Sequence, residues 1–276
     1  MVRSNRVLLV SLSAALIAGC AAGDSAAKDS AASTATPVAA SPVPDSLIDG
    51  WAQHSRERPA PVVQDPGPFV ASPPPADAVV LFDGTSLDAW MMADSSAAKW
   101  RVADGAFEVV PGTGTLKTRA GYGDAQLHIE WMSPNPPVGE DQDRGNSGVF
   151  FGGGRYEVQI LDSYNSATYP DGQAAALYGQ YPPKVNVSRK PGEWQSYDIT
   201  YTRPRFADGK LVSPATLTVL HNGVLVHDKQ ALVGPTANRA RVPYEVHEDR
   251  LPIQLQDHSH PVRFRNVWVK DLEKQP

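Results

Sequence analysis

Three stretches of the chain gather side chains that could do chemistry together. In Tyr156-Glu157-Val158-Gln159-Ile160-Leu161, a strand places Glu157 and Gln159 on one face and Val158 and Ile160 on the other. In Ile253-Gln254-Leu255-Gln256-Asp257-His258 the same alternation groups Gln254, Gln256 and His258. Arg144-Gly145-Asn146-Ser147-Gly148-Val149-Phe150 leads polar groups into another strand. If these strands are neighbours, one sheet face carries carboxylate, amide, guanidinium and imidazole groups. Sugar hydroxyls require such a surface of planar hydrogen-bonding groups. The same pattern also fits an ordinary solvated sheet face, the default for antiparallel sheets.

The elements that must position these groups are strands. From Ala78 onward, short apolar or alternating runs are punctuated by Gly, Pro, Asn and Asp. They are expected at Val79–Phe82, Ala106–Val110, Ala125–Trp131, Gly148–Phe151, Tyr156–Leu161, Tyr197–Thr202, Ala215–His221, Val224–His227, Ile253–Gln256 and Val262–Val269. Asn222-Gly223 is a strong two-residue hairpin signal and Asp104-Gly105 a second. No stretch of this region sustains an amphipathic helix over three turns. Many short strands with turn signals predict an all-β sandwich of jelly-roll type over residues 78–273.

Ahead of that domain the composition changes. Ten of the 25 prolines lie between Pro37 and Pro75. Residues 1–19 read as an export signal, with Arg3 and Arg6 before the apolar stretch Val7–Ala18. Ile17-Ala18-Gly19-Cys20 resembles a bacterial lipobox, which would make Cys20, the chain's single cysteine, the lipid attachment point; the alternative is an ordinary secretory signal with the cysteine there by chance. Ala21 after it favours the outer membrane, so the expected location is the cell envelope, on the periplasmic side of that membrane or exposed on it. Residues 20–77, rich in Ala, Ser and Pro, read as a disordered linker. Leu47–Arg58 breaks the pattern and is expected either to dock as a short helix or to remain a less repetitive piece of linker. One cysteine excludes an internal disulfide and any zinc site of several thiolates. A net charge of −5 gives no reason to expect nucleic acid as a partner.

Several motifs in order carry a family resemblance. Leu81-Phe82-Asp83-Gly84-Thr85-Ser86-Leu87-Asp88-Ala89-Trp90 opens the set, followed by Gly145-Asn146-Ser147-Gly148-Val149-Phe150, Tyr156–Asp162 and Leu177-Tyr178-Gly179. Pro191-Gly192-Glu193-Trp194-Gln195, His221-Asn222-Gly223, Leu255-Gln256-Asp257-His258 and Val262–Trp268 complete it. Together, over about residues 80–273, they resemble the 3-keto-disaccharide hydrolase domain family. Trp51–Pro61 also looks like a piece found upstream of the domain in some members.

The resemblance implies a concanavalin-like β-sandwich acting outside the cytoplasm on glycosides whose carbon 3 is a ketone. That ketone acidifies the carbon 2 proton, so a base can form an enolate that expels the aglycone from carbon 1. Water addition then completes a net hydrolysis. Such a site needs a base, a stabiliser for the enolate oxygen and a proton donor for the leaving group. His258 is the first choice for the base and Glu157 the other acid–base group or a metal ligand. Arg144 and Lys184 are candidates to offset enolate charge, and Asn146, Gln159, Gln256 and Tyr178 to bind sugar hydroxyls. Asp162 either binds substrate or fixes the strand end. A divalent metal would suit enolate stabilisation, although no spacing defines a site for one. Nothing asks for a nucleotide cofactor. Asp83 is read as a turn cap, Trp90, Trp194 and Trp268 as core, and His221 and His227 as structural.

Two other readings remain. One is a non-catalytic, lectin-like carbohydrate-binding module. The other is a conventional glycanase with two carboxylates on one strand face. Gln159 occupies the position where the second carboxylate would be needed, and Asp162 falls on the opposite face. Arg144, Glu157, Asp162 and His258 bring more ionisable groups than a lectin would use, which favours the enzyme.

Overall fold

Alternation along the strands decides the layers. In Tyr156–Ile160, Tyr156, Val158 and Ile160 are fully buried in the main core, which sends Glu157 and Gln159 to the opposite face. The computed structural model, which describes residues 47–273, places this strand at the edge of a five-stranded antiparallel sheet. The spatial order is Trp90–Met92, Leu116–Tyr122, Leu251–Leu255, Ser147–Phe151, Tyr156–Ile160. A second, eight-stranded sheet runs Val224–Ala231, Thr216–His221, Gln195–Thr202, Ala125–Met132, Arg263–Asp271, Ala106–Glu108, Arg101–Ala103. Its eighth strand, Val79–Phe82, also pairs with Arg263–Asp271.

The inner faces of the two sheets close on one apolar cluster. Phe151 of the five-stranded sheet stacks on Tyr201 of the other at 4.8 Å between ring centroids. Trp90 and Trp131 are fully buried. The Tyr197 hydroxyl donates to the Gln159 carbonyl at 2.8 Å, so a hydrogen bond as well as apolar packing ties the sheets behind the site. This is the all-β jelly-roll sandwich expected from the strand pattern. All ten expected runs are strands, and among the described residues the only helical turn is the 3-10 turn Pro170–Gly172. Asn222 and Gly223 both adopt positive φ between paired strands, as do Asp104 and Gly105. The strand Leu116–Tyr122 was not expected, because Lys117, Thr118 and Arg119 break its apolar rhythm.

The signal sequence, Cys20 and most of the linker lie outside the described residues. The part that is described, from Leu47, runs along the sandwich. Val62–Val63 pairs in parallel with Val185–Asn186. Further on, the Ser72 carbonyl accepts from Asn266 Nδ2 at 3.0 Å and from Trp268 Nε1 at 3.2 Å. Leu47–Arg58 docks without forming a helix. Asp49, Gly50 and His54 have positive φ, which a right-handed helix cannot accommodate, and Ile48 and Trp51 bond to each other across a tight turn.

Candidate functional site

The floor of the site is built by pairing the three strands that carry the polar motifs. Gly148 lies opposite Gln159, and Phe150 lies between Glu157 and Gln254. The Gln256 amide nitrogen donates to the Gly148 carbonyl at 3.1 Å, and the Ser147 hydroxyl donates to the Gln256 carbonyl at 2.8 Å. Glu157, Gln159, Phe150 and Gln256 thereby line one chamber of about 250 Å³ on the outer face of the sheet. Gly148 is required there. A Cβ at that position would lie 2.5 Å from Glu157 Oε1, so the bare backbone leaves the carboxyl its place.

Two loops raise the walls. Tyr178 follows the bridge between Val158 and Leu177, and its amide donates to the Glu157 carbonyl at 3.3 Å. Thr236 Oγ1 accepts from the Glu157 amide at 3.0 Å, which fastens the loop bearing Asn238 and Arg239 beside the same strand. His258, just beyond Leu251–Leu255, reaches the cleft from the other side and stacks with His260 at 5.9 Å.

A second chamber of about 440 Å³ continues outward, sharing Asn146, Tyr178, Asn238 and His258 with the first. Gln142 joins the two. Its Oε1 accepts from Gln159 Nε2 at 3.0 Å, its backbone carbonyl accepts from Asn146 Nδ2 at 2.7 Å, and its Nε2 donates to Thr168 Oγ1 at 2.7 Å. Tyr169 and Tyr178 share a hydroxyl–hydroxyl bond of 2.9 Å. Asp141 in this outer part is paired with Arg56 and with the Thr168 hydroxyl.

Burial controls the electrostatics. It pushes the Glu157 carboxyl from its ordinary 4.5 up to about 8, and among the described residues no cation opposes the shift. Burial also raises Tyr178, with the nearby Glu157 adding to the effect against a hydrogen bond from Tyr169. Both groups therefore hold their protons at neutral pH. Gln159 Oε1 and Gln256 Oε1 are buried without a hydrogen-bond partner, two acceptors placed for hydroxyl donors. Among the described residues no three His, Cys, Asp or Glu side chains group to hold a metal ion.

Glu157, Gln159, Gln256, His258, Asn146 and Tyr178 are thus brought together in one cleft. Arg144 and Asp162 line neither chamber. They pair with each other, Nε to Oδ2 at 2.7 Å, and the Asp162 amide donates to the Arg144 carbonyl at 3.1 Å. Lys184 is exposed, and its amide bonds to Val226 in the edge strand of the other sheet, so it does not line the cleft either. Burial holds His221 near 3 and His227 near 4, consistent with neutral structural rings. Trp194 is only half-buried and lies over Arg265, 4.2 Å from the guanidinium carbon. Gln142, Tyr169, Asn238 and Arg239 escaped the sequence reading because they sit in aperiodic loops. His54 and Arg56 were visible in Leu47–Arg58, but nothing in the sequence tied them to the site.

Comparisons with known proteins bear on the family and the fold. Residues 77–270 match the model of the 3-keto-alpha-glucoside-1,2-lyase-like domain. No curated protein sequence matches the chain. Among solved structures, a candidate glycosyl hydrolase from Parabacteroides distasonis is 40% identical, with a TM-score of 0.68, covering 75% of this chain and 95% of its own. A second candidate glycosyl hydrolase from the same organism is 19% identical with a TM-score of 0.52, covering 71% and 94% respectively, and shares the fold.

Proposed function

Because the chain belongs to the 3-keto-alpha-glucoside-1,2-lyase-like family, a family of carbohydrate-active enzymes, we propose that it cleaves glycosides or disaccharides bearing a ketone at carbon 3. The observation that carries this reading is the cleft itself. A buried, protonated carboxyl (Glu157) and an accessible imidazole (His258) face one chamber over a floor of amides.

In this mechanism His258 takes the proton from carbon 2, and the electron pair moves into the carbon 2–carbon 3 bond to give an enolate. The protonated Tyr178 hydroxyl donates a hydrogen bond to the enolate oxygen. Collapse of the enolate restores the ketone, forms the carbon 1–carbon 2 double bond and breaks the bond to the aglycone oxygen. Glu157 supplies that oxygen with its proton. Water then adds at carbon 1, giving its proton to Glu157, while His258 returns the proton to carbon 2. Gln159, Gln256 and Asn146 hold the ring hydroxyls. The Arg144–Asp162 pair serves as a positioning element for the strand entrance carrying Asn146. A divalent cation would find Glu157, His258 and the amide oxygens as donors, but every step above runs through the protein's own side chains.

Incubating the protein with a 3-keto-glucoside and with its unoxidised parent, with and without a chelator, tests this reading. Aglycone release from the keto compound alone is the expected result. Release from the parent alone would indicate a conventional glycanase. Binding with release from neither would leave a carbohydrate-binding module. Loss of turnover on adding the chelator would bring a metal into the mechanism.

We also propose that the protein is an envelope lipoprotein attached through Cys20, on the strength of Ile17-Ala18-Gly19-Cys20.

A further inference from the structure

The segment Ile48–Arg58 lies ahead of residues 77–270, yet it forms one wall of the outer chamber. It is fastened at several points to the loops that shape the cleft. The His54 amide donates to Asp171 Oδ2 at 3.0 Å, Gln53 Nε2 donates to the Ala237 carbonyl, and the buried Arg58 donates to the Gln180 carbonyl at 3.2 Å. The His54 ring stacks on Tyr169 at 4.0 Å and lies 5.2 Å from Tyr178. Arg56 pairs with Asp141 at the rim. The domain is shaped to receive this segment. Gly179 has a φ of +68°, and a Cβ there would meet Gln53 Nε2 at 2.1 Å.

We infer that Ile48–Arg58 completes a leaving-group subsite, with His54 and Arg56 as specificity-determining residues for a sugar on the aglycone side of the scissile bond. This rests on the reaction proposed above. The inner chamber carries the acid and base and takes the ketone-bearing ring. The aglycone departing from carbon 1 must lie beyond them, and the continuous space beyond is the outer chamber. At about 440 Å³ it falls within the ~300–1,000 Å³ of small-molecule sites. Its lining is polar and planar: the His54–Tyr169 pair, Gln142, Asn238 and the two guanidinium groups of Arg56 and Arg239. Those groups suit the hydroxyls and ring edges of a second sugar better than an apolar aglycone.

His54→Ala and Arg56→Ala in the full chain test the subsite. Turnover is compared between 3-keto-disaccharides and methyl 3-keto-glucosides, with circular dichroism to verify folding. The expected result is a fall of about tenfold in the preference for disaccharide over methyl glycoside, carried by KM rather than kcat. An unchanged preference, or equal losses on both substrates, would overturn the subsite. If the unaltered protein turns over no 3-keto-glycoside, the reaction is wrong, and calorimetry with unoxidised maltose, cellobiose and trehalose against methyl glucosides judges the subsite alone. A disaccharide advantage in binding that His54→Ala abolishes would support it. No such advantage, or one that survives the substitution, would overturn it.

Discussion

Burial of Glu157, which no cation among the described residues offsets, makes the folded state dependent on pH. The native carboxyl keeps its proton up to about pH 8, whereas the unfolded chain releases it near 4.5. Between those values the native state binds the extra proton. Stability therefore falls as pH rises through that window, by up to about 1.4 kcal/mol per pH unit. Glu157→Gln removes this dependence, so its melting temperature should exceed that of the unaltered protein at pH 9 and converge with it toward pH 4. If Glu157 is the proposed acid, the same substitution should lower kcat at least a hundredfold, because the amide cannot deliver a proton to the leaving oxygen. If Glu157 is the acid proposed above, its protonated form is the working one, and activity should decline above about pH 8. Gly148→Ala offers an independent check. Its methyl group would displace the Glu157 carboxyl, and a loss of about tenfold or more in kcat with an unchanged circular dichroism spectrum is expected. Full activity would mean that the carboxyl does not work from the position seen here.

Single strands show how far pattern leads and where it stops. Period-two alternation placed Glu157 and Gln159 on one face, and the pairing of neighbouring strands then joined them to Gln256 and His258. Alternation was equally clear in Ala125–Met132, where Gln126, His128 and Glu130 form the polar row. Yet His128 and Glu130 are buried. The sequence of that strand holds no trace of what covers them. Trp268 lies opposite His128 in the next strand, with ring centroids 5.1 Å apart, and Asn266 and Arg265 bond to Glu130. The Arg144–Asp162 pair was hidden for a similar reason, since it closes between two loop ends whose approach depends on the fold. Burial opposes charge on His128, but the hydrogen bond between its Nδ1 and Asp198 at 2.7 Å and the Glu130 carboxylate 3.7 Å from its Nε2 outweigh it and raise its pKa from 6.5 to about 9. That contribution to stability is complete below pH 6.5 and lost as pH rises through about 9. The stability gap between the unaltered protein and His128→Leu, measured by urea unfolding, should therefore narrow from pH 6.5 to pH 9.5. A gap constant with pH would mean that His128 is neutral in the fold.

Across the whole molecule, the segment ahead of the sandwich does more than connect. It walls the cleft at His54 and Arg56 and, further along, places the Ser72 carbonyl against Asn266 and Trp268 of the eight-stranded sheet. Composition described its prolines and serines but could not show that its carbonyls find donors. If Cys20 carries the lipid, Cys20→Ser should move the protein from the membrane fraction to the soluble fraction and abolish incorporation of labelled fatty acid. Retention in membranes without labelling would assign attachment to another feature. The strand Tyr156–Ile160 has one side committed to the core and the other to the cleft. Its neighbouring positions therefore serve different ends. Replacing Val158 or Ile160 by Ala should be felt as about 1–5 kcal/mol of folding energy, while Gln159→Ala should be felt chiefly as lost substrate affinity. A family of such proteins could retune its sugar preference at every second residue of this strand while the residues between stay fixed by packing. Diversification and conservation would then be interleaved along five consecutive positions.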